Sequence, residues 1–237
     1  MTDTPPHFAD ELAELKQSVV TMGELAADRL AMAISGLVAR DRDLLADVVG
    51  GDARLDTWQI QIDEHCFTLL ARHQPVASDL RTIVSALRIN TDVERVGDLA
   101  VNVAEAAERY LVHPPVKPLI DLPRMGELAV RMLRDALGAF TDRDVSLAHN
   151  VLQQLAWLNV LRNQVFRELL TYMLGNPRVI EPSVELILIS RQVERVGEHA
   201  TNVAEDVVFL VEARDIRHRT AHAPGAERRG PADVAPL

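Results

Sequence analysis

The sequence predicts an all-α protein made of two tandem three-helix bundles that are related by internal duplication. Three observations lead to this prediction. Hydrophobic residues make up 48% of the 237-residue chain and aromatic residues only 4%, a composition rich in Ala, Leu and Val that suits helix packing better than sheet packing. Apolar residues recur at alternating spacings of four and three, the pattern of a helix in a bundle. A long stretch of sequence also occurs twice, about one hundred residues apart.

The duplication is clearest at residues 93–105, which match residues 193–205 at ten of thirteen positions. One further position exchanges Asp98 for Glu198. Two shorter matches lie upstream in the same order, pairing 22–26 with 125–129 and 41–43 with 142–144. A unit of about one hundred residues is long enough to hold its own core. We therefore predict two similar domains, each with a core of its own.

Each unit divides into three helices. In the first unit the first helix has an apolar seam at Phe8, Leu12, Leu15, Val19, Met22 and Ala26. The second helix is expected to begin with Asp41 as its N-cap and to end at Gln74–Pro75. Gly50 and Gly51 are expected to kink this helix, because glycine weakens a helix interior by about 1 kcal/mol. Its seam is Val48, Leu55, Ile62 and Leu69, with Trp58 and Cys66 between them.

Ser78 is expected to cap the third helix, whose seam is Ile89, Val93, Val96, Ala100, Val103 and Ala107. Residues 112–118 then contain three prolines, which predicts a stiff linker. In the second unit we expect Asp121 to cap the first helix, Gly175–Pro177 to end the second, and Pro182 with Ser183 to open the third. The predicted organisation is an N-terminal tail at 1–7, a first bundle at 8–111, a linker at 112–120, a second bundle at 121–217 and a disordered tail at 218–237.

The composition also excludes several functions. The formal net charge is −10, which is unfavourable for nucleic-acid binding and favourable for cations or for basic partner surfaces. Cys66 is the only cysteine, so the chain can form neither an internal disulfide nor a zinc site with several cysteines, and we expect Cys66 to pack in the core. No signal peptide and no membrane-spanning run is recognisable, which predicts a cytoplasmic protein.

An acidic stripe lies beside the apolar seam of the third helix. At 100° per residue Glu94, Asp98 and Glu105 fall within about 40° of one another, with Asn102 next to them. The second unit repeats the stripe with Glu194, Glu198, Glu205 and Asn202. A solvated helix face is the simplest interpretation. Carboxylates four residues apart repel each other, however, so an arginine or a bound cation is expected to compensate. Arg95 and Arg195 are expected to contact only neighbouring surfaces and not the stripe itself, because residues adjacent in sequence do not share a helix face.

Other motifs are sparse. Gly97 and Gly197 lie in mid-helix between the paired carboxylates, where they predict close helix packing or, alternatively, a lowered wall beside a ligand. There is no P-loop and no Glu-x-x-His pair, and His65 and His73 are weak metal-ligand candidates on one helix face. No motif places a nucleophile beside a base. We therefore expect a protein without catalytic residues.

Two stretches carry a family resemblance. Residues 72–81, Arg-His-Gln-Pro-Val-Ala-Ser-Asp-Leu-Arg, and residues 92–98, Asp-Val-Glu-Arg-Val-Gly-Asp, resemble hallmarks of the PhoU family, the second recurring at 194–198. The resemblance implies a homodimer of paired three-helix bundles. It also implies a non-enzymatic negative regulator of phosphate uptake, which links the ATPase subunit of a phosphate ABC transporter to the sensor histidine kinase of the phosphate-starvation response. Such a protein reaches the membrane only through its partners. The alternatives are a regulator of another phosphate permease and a carboxylate-metal enzyme.

The resemblance further implies surface carboxylates that bind Fe, Zn, Mn or Mg. The positions that match are Asp56, Asp63, Glu94, Asp98, Glu194 and Glu198. This sequence departs from the acidic pattern at Gln59 and Gln192 and has neutral Asn159 and Asn163 in the second unit, so weaker binding is expected there. The expected partner-contact residues are Asp79, Arg81, Arg95, Asn102, Glu105, Arg195, Asn202 and Glu205.

Overall fold

The computed structural model describes residues 6–51 and 53–217, and within these ranges the chain is helical with no β-strand. Its α-helices are α1 (Pro6–Ala39), α2 (Arg42–Gly50), α3 (Ala53–His73), α4 (Ala77–Leu111), α5 (Asp121–Asp142), α6 (Val145–Gly175) and α7 (Ile180–Glu212). A 3₁₀ turn at Pro177–Val179 joins α6 to α7. The predicted tail at 218–237 lies outside the described residues, as do residues 1–5. The predicted fold class is confirmed.

The apolar seams lie in the core as predicted. Every seam residue named above for the first unit is buried, and Cys66 is fully buried as well. Burial raises the pKa of the Cys66 thiol to about 12, so the thiolate does not form near neutral pH. The lone cysteine is therefore a packing residue.

The predicted kink in the second helix is a complete break. The helix that begins after Asp41 ends at Gly50, and α3 begins at Ala53. The amide of Gly51 still donates to the carbonyl of Asp47, at 3.2 Å. The glycine pair thus divides the predicted helix into a short α2 and a longer α3, which gives the first unit one more helix than the second.

Three predicted helix starts are wrong by one to three residues. The helix that Ser78 was expected to cap begins at Ala77, and no side chain caps it. Asp121 is the first residue of α5 and is buried, where it accepts a hydrogen bond from Gln164 at 3.3 Å. The last helix begins at Ile180, upstream of the predicted Pro182. In each case the backbone is already helical at the polar residue that was expected to cap the helix.

The register of the upstream repeat also differs from the prediction. Asp41 caps α2 by accepting from the amide of Leu44 at 3.1 Å, as expected. Its structural counterpart is Asp144, which caps α6, and not Asp142. Both caps follow an arginine in the left-handed region, Arg40 at φ 57° and Arg143 at φ 55°. The two helix hairpins therefore correspond at an offset of 103 residues, as the match of 22–26 with 125–129 has it, and not at the 101 of the match of 41–43 with 142–144.

The two units share a single core, which corrects the expectation of separate cores. Helices α1, α4, α5 and α7 pack together in the centre, with α2 and α3 against α1 and α4 on one side and α6 against α5 and α7 on the other. Buried side chains of both units form one continuous apolar cluster. The linker at 112–120 thus joins two bundles that stabilise each other by direct contact.

Glycines mark the contacts between the two units. On α1, Gly23 packs against Leu137 of α5, and reciprocally Gly126 of α5 packs against Ile34 of α1. In both cases a Cβ added to the glycine would lie closer to the leucine or isoleucine side chain than real Cβ contacts allow. This reciprocity indicates a pseudo-twofold axis between the units, with α1 and α5 running antiparallel.

Gly97 and Gly197 are also packing residues, which confirms the first of the two interpretations given for them. Gly97 lies against the buried Leu55 of α3, and Gly197 lies against the buried Leu158 of α6. Because glycine has no Cβ, the paired helices approach closely at these two points. Leu158 is therefore the counterpart of Leu55, which sets the equivalence between α3 and α6.

Candidate functional site

The acidic stripe of α4 is neutralised in part by its own arginine. The Nη1 atom of Arg95 lies 3.1 Å from Oδ2 of Asp98, and its Nε lies 3.6 Å from Oε2 of Glu94. The long side chain of Arg95 thus reaches both carboxylates, although the expectation limited it to neighbouring surfaces. An arginine compensates for the repulsion between Glu94 and Asp98, one of the two solutions that the sequence left open.

The facing helix α3 contributes one carboxylate near this stripe. Asp63 is half-buried and accepts a hydrogen bond from Nδ2 of Asn90 at 2.9 Å. The same amide nitrogen donates to the backbone carbonyl of Gln59 at 3.0 Å. Asp56 is exposed in the first turn of α3. Asp63 is therefore held by α4, whereas Asp56 faces solvent.

The second copy of the stripe has a different environment. Arg162 of α6 contacts Oε1 of Glu194 through Nε at 3.1 Å and through Nη2 at 3.0 Å. Glu194 is largely buried, with 14% of its side chain exposed. Around this ion pair lies a surface cavity of about 510 Å³ that we call the α6–α7 pocket; it is lined by Arg162, Phe166, Ile187, Arg191, Glu194, Arg195 and Glu198.

A resident metal ion does not fit these arrangements. Within residues 6–51 and 53–217, no three His, Cys, Asp or Glu side chains converge on a point where they could hold a metal. In the first unit Arg95 occupies the space beside Glu94 and Asp98. In the second unit the α6–α7 pocket brings three arginines to two glutamates, and positive groups of this kind exclude a cation.

Two of the expected partner-contact residues join α4 to α7. Nε of Arg81 donates to the carbonyl of Leu210 at 3.2 Å. Nδ2 of Asn202 donates to Oδ1 of Asp92 at 2.9 Å. These side chains hold the two repeats together. Their polar groups are therefore engaged within the chain.

The remaining expected partner-contact residues lie on separate surfaces. Asn102 and Glu105 are exposed on α4, and Arg195 is exposed on α7. Glu205 is half-buried beside the crossing of α4 and α7, and Asp79 is half-buried in the first turn of α4. The structure thus distributes the expected contact residues over at least two regions of the surface.

A polar network at the crossing of α4 and α7 was not predicted. Nδ1 of His199 lies 2.8 Å from Oδ1 of Asp92, the same oxygen that Asn202 binds. Asp206 is nearly fully buried and accepts from Nη1 of Arg88 at 3.1 Å. Desolvation raises the pKa of Asp206 to about 6, and hydrogen bonding to Arg88 opposes the rise.

A comparison of the two repeats could have revealed this network. Asp206 stands where the first copy has Ala106, and His199 stands where the first copy has Leu99. A polar residue that replaces an apolar one in a single copy signals a contact made on one side of the pseudo-twofold axis only.

No helix among the described residues is both long enough and apolar enough to cross a membrane. On α6 several large apolar side chains are exposed, including Trp157 and Leu174 at 70% and 80%.

The PhoU domain family matches residues 19–107 and again residues 122–207. A relative from Caulobacter vibrioides, named phosphate-specific transport system accessory protein PhoU homolog, is 38% identical over 214 residues, covering 90% of this chain and 93% of the relative. The crystal structure of PhoU from Pseudomonas aeruginosa superposes with a TM-score of 0.84 at 34% identity, covering 87% of this chain and all of that one. The phosphate transport system regulatory protein PhoU from Streptococcus pneumoniae gives a TM-score of 0.82 at 26% identity, covering 88% and 99%.

Proposed function

The chain belongs to the PhoU family, and we propose on that basis that it regulates phosphate uptake as an accessory protein of a phosphate-specific transport system. The observation that carries the proposal is the match of both bundles, in order, to the family domain. A relative that matches 90% of this chain is named as an accessory protein of a phosphate-specific transport system.

The proposed action is that of an adaptor that performs no chemical step. It would link the ATPase subunit of a phosphate ABC transporter to the sensor histidine kinase that controls phosphate-starvation genes, and would restrain that response when phosphate is plentiful. Two diverged faces support this role, one acidic around Glu94 and Asp98 and one basic around Arg191 and Arg195. Charged faces of opposite sign orient different partners on encounter.

We further propose that the chain acts as a homodimer on the cytoplasmic side of the membrane and reaches the membrane through its partners. The exposed apolar side chains of α6, among them Trp157, support a protein contact at that helix. In this arrangement α6 would contact a partner protein, and the acidic and basic faces would orient the partners on encounter.

Gene deletion tests the proposed function. Loss of the protein should raise expression of phosphate-starvation genes in phosphate-rich medium, and the wild-type gene should restore repression. Unchanged expression in the deletion strain would refute the regulatory role. Measuring uptake through each phosphate transporter of the same strain would identify the permease that is affected.

Binding to the ATPase subunit tests the adaptor role. In a pull-down, Glu94→Gln with Asp98→Asn should weaken capture, with the largest loss at low salt, because surface charges are screened within about 10 Å at 0.1 M salt. The matched control is Asp10→Asn with Glu14→Gln, another exposed pair of carboxylates four residues apart on α1. Equal capture by both double variants would remove the acidic face from the proposed interface.

A further inference from the structure

The α6–α7 pocket carries a charge opposite to that of its counterpart in the first unit. Arg162 lies four residues after Leu158, and Gln59 lies four residues after Leu55, so the two positions are equivalent. One hundred residues along the repeat, the position of Thr91 in the first unit is taken by an arginine, Arg191.

A third exchange removes a carboxylate. Phe166 of α6 stands at the position of Asp63 of α3. In the first unit one arginine therefore faces three carboxylates, namely Arg95 against Asp63, Glu94 and Asp98. In the α6–α7 pocket three arginines face two carboxylates, namely Arg162, Arg191 and Arg195 against Glu194 and Glu198. These exchanges convert an acidic surface into a basic pocket while the helix backbones stay equivalent.

Two arginines of the pocket are available to a ligand. Within the part of the chain that the structure describes, neither Arg191 nor Arg195 makes an ion pair, and Glu198 makes none either. In the first unit, by contrast, Arg95 is held by Asp98 at 3.1 Å. Arg191 and Arg195 are four residues apart on one helix face, so their like charges repel each other unless an anion lies between them.

The chemistry of the lining selects the class of anion. The planar guanidinium of arginine offers parallel N–H donors that match the oxygens of a phosphate or carboxylate group. Glu198 adds a carboxylate, a group that accepts hydrogen bonds. A ligand that satisfies both kinds of group carries negative oxygens and a hydroxyl. Inorganic phosphate has both, whereas sulfate, of the same shape, has no hydroxyl near neutral pH.

We infer that the α6–α7 pocket binds inorganic phosphate, with Arg191 and Arg195 donating to its oxygens and Glu198 accepting from its hydroxyl. The choice of phosphate among protonated oxyanions rests on the proposed function. Because both arginines are exposed to solvent, screening keeps the affinity low, with a dissociation constant on the order of 1 mM.

Phosphorus-31 NMR of inorganic phosphate titrated with the full chain tests the inference. Saturable broadening or shift of the phosphate signal is expected with the wild-type protein at low ionic strength. Arg195→Gln combined with Arg191→Gln should weaken the apparent affinity tenfold or more. Arg95→Gln, which removes the counterpart of Arg195 in the first unit, should leave the affinity within twofold. Circular dichroism should show the same helical content in all three proteins.

Three results would overturn the inference: no effect of the wild-type protein on the phosphate signal, an equal effect of the double variant, or tighter binding of ATP than of inorganic phosphate at the same arginines. Sulfate should compete at least tenfold less well than phosphate, and equal competition would refute the role of Glu198. The gene-deletion experiment does not depend on this pocket, so failure of phosphate binding and failure of the proposed function are distinguishable.

Discussion

Arg162 and Glu194 form an ion pair across the contact between α6 and α7, with both Nε and Nη2 of the arginine within 3.1 Å of one carboxylate oxygen. The first unit has no such pair, because Gln59 occupies the equivalent position. This exchange is one of the three that give two nearly identical stretches of sequence sites of different chemistry.

The ion pair should contribute modestly to stability. We expect Arg162→Gln to lower the free energy of unfolding by about 0.5–1 kcal/mol, since the pair is partly exposed and surface ion pairs are weak. Urea denaturation followed by circular dichroism measures the change. Adding Glu194→Gln should recover part of the loss. Arg167→Gln, an exposed arginine of the same helix, is the control, and an equal loss there would contradict the prediction.

Alanine in place of the glycines at the helix contacts should destabilise the fold modestly. Gly97→Ala is expected to lower the free energy of unfolding by about 1 kcal/mol, because overpacking against Leu55 costs about 1–3 kcal/mol and the better helix propensity of alanine returns up to about 1 kcal/mol. Gly197→Ala should behave in the same way against Leu158. Gly50→Ala is the control, because no atom lies within 4 Å of the added methyl group. A loss at Gly50 as large as at Gly97 would disprove the packing explanation.

Asp206 should make stability depend on pH between about 4 and 6. Its folded pKa is raised from 3.8 to about 6, so the folded state binds the proton more tightly than the unfolded state does. The stability gained from the protonated form is complete below pH 3.8 and is lost as the pH rises through 6. Asp206→Asn keeps a neutral side chain at every pH. We expect the variant to be more stable than the wild type above pH 6, by about 2–3 kcal/mol.

This difference between Asp206→Asn and the wild type should disappear below pH 4. Denaturation of both proteins across pH 4–8 measures it, and other carboxylates cancel because both proteins share them. Parallel pH profiles for the two proteins would show that Asp206 titrates normally and that Arg88 fully compensates for its burial.

Arg95 should limit cation binding in the first unit. Removal of its positive charge by Arg95→Gln leaves Glu94 and Asp98 four residues apart without their shared arginine. We expect the variant to bind Mg²⁺ or Mn²⁺ at least threefold more tightly than the wild type, as measured by calorimetry. Arg195→Gln, at the equivalent position of the second unit, should change the affinity less, because Arg162 and Arg191 remain. An unchanged affinity in Arg95→Gln would show that the acidic stripe does not bind these cations.

Much of the fold could be read from the sequence. The seams of α1 and α4 were predicted residue by residue, because helix amphipathicity is a local pattern that repeats every three to four residues. The duplication was visible because ten of thirteen positions survive near residues 93–105. The Asp41 cap was also correct, since an N-cap bonds to amides only two or three residues away.

The register of the second hairpin was not predicted correctly. The sequence match aligned Asp-Arg-Asp at 41–43 with the same three residues at 142–144. In the structure Asp41 corresponds to Asp144 instead, because each caps a helix and follows an arginine in the left-handed region. A short match in a divergent repeat does not reveal which backbone amides are free. The backbone geometry at the helix ends reveals it.

The sequence by itself thus determined the fold class, the buried faces of the helices, the duplication and the family. Only the tertiary structure decided that the two units share one core, that Arg162 reaches Glu194, and that His199 meets Asp92 at 2.8 Å. The physical reason is the range of the interactions. Helix formation and capping depend on residues within one turn, whereas contacts between residues more than one hundred positions apart depend on how all the helices pack together.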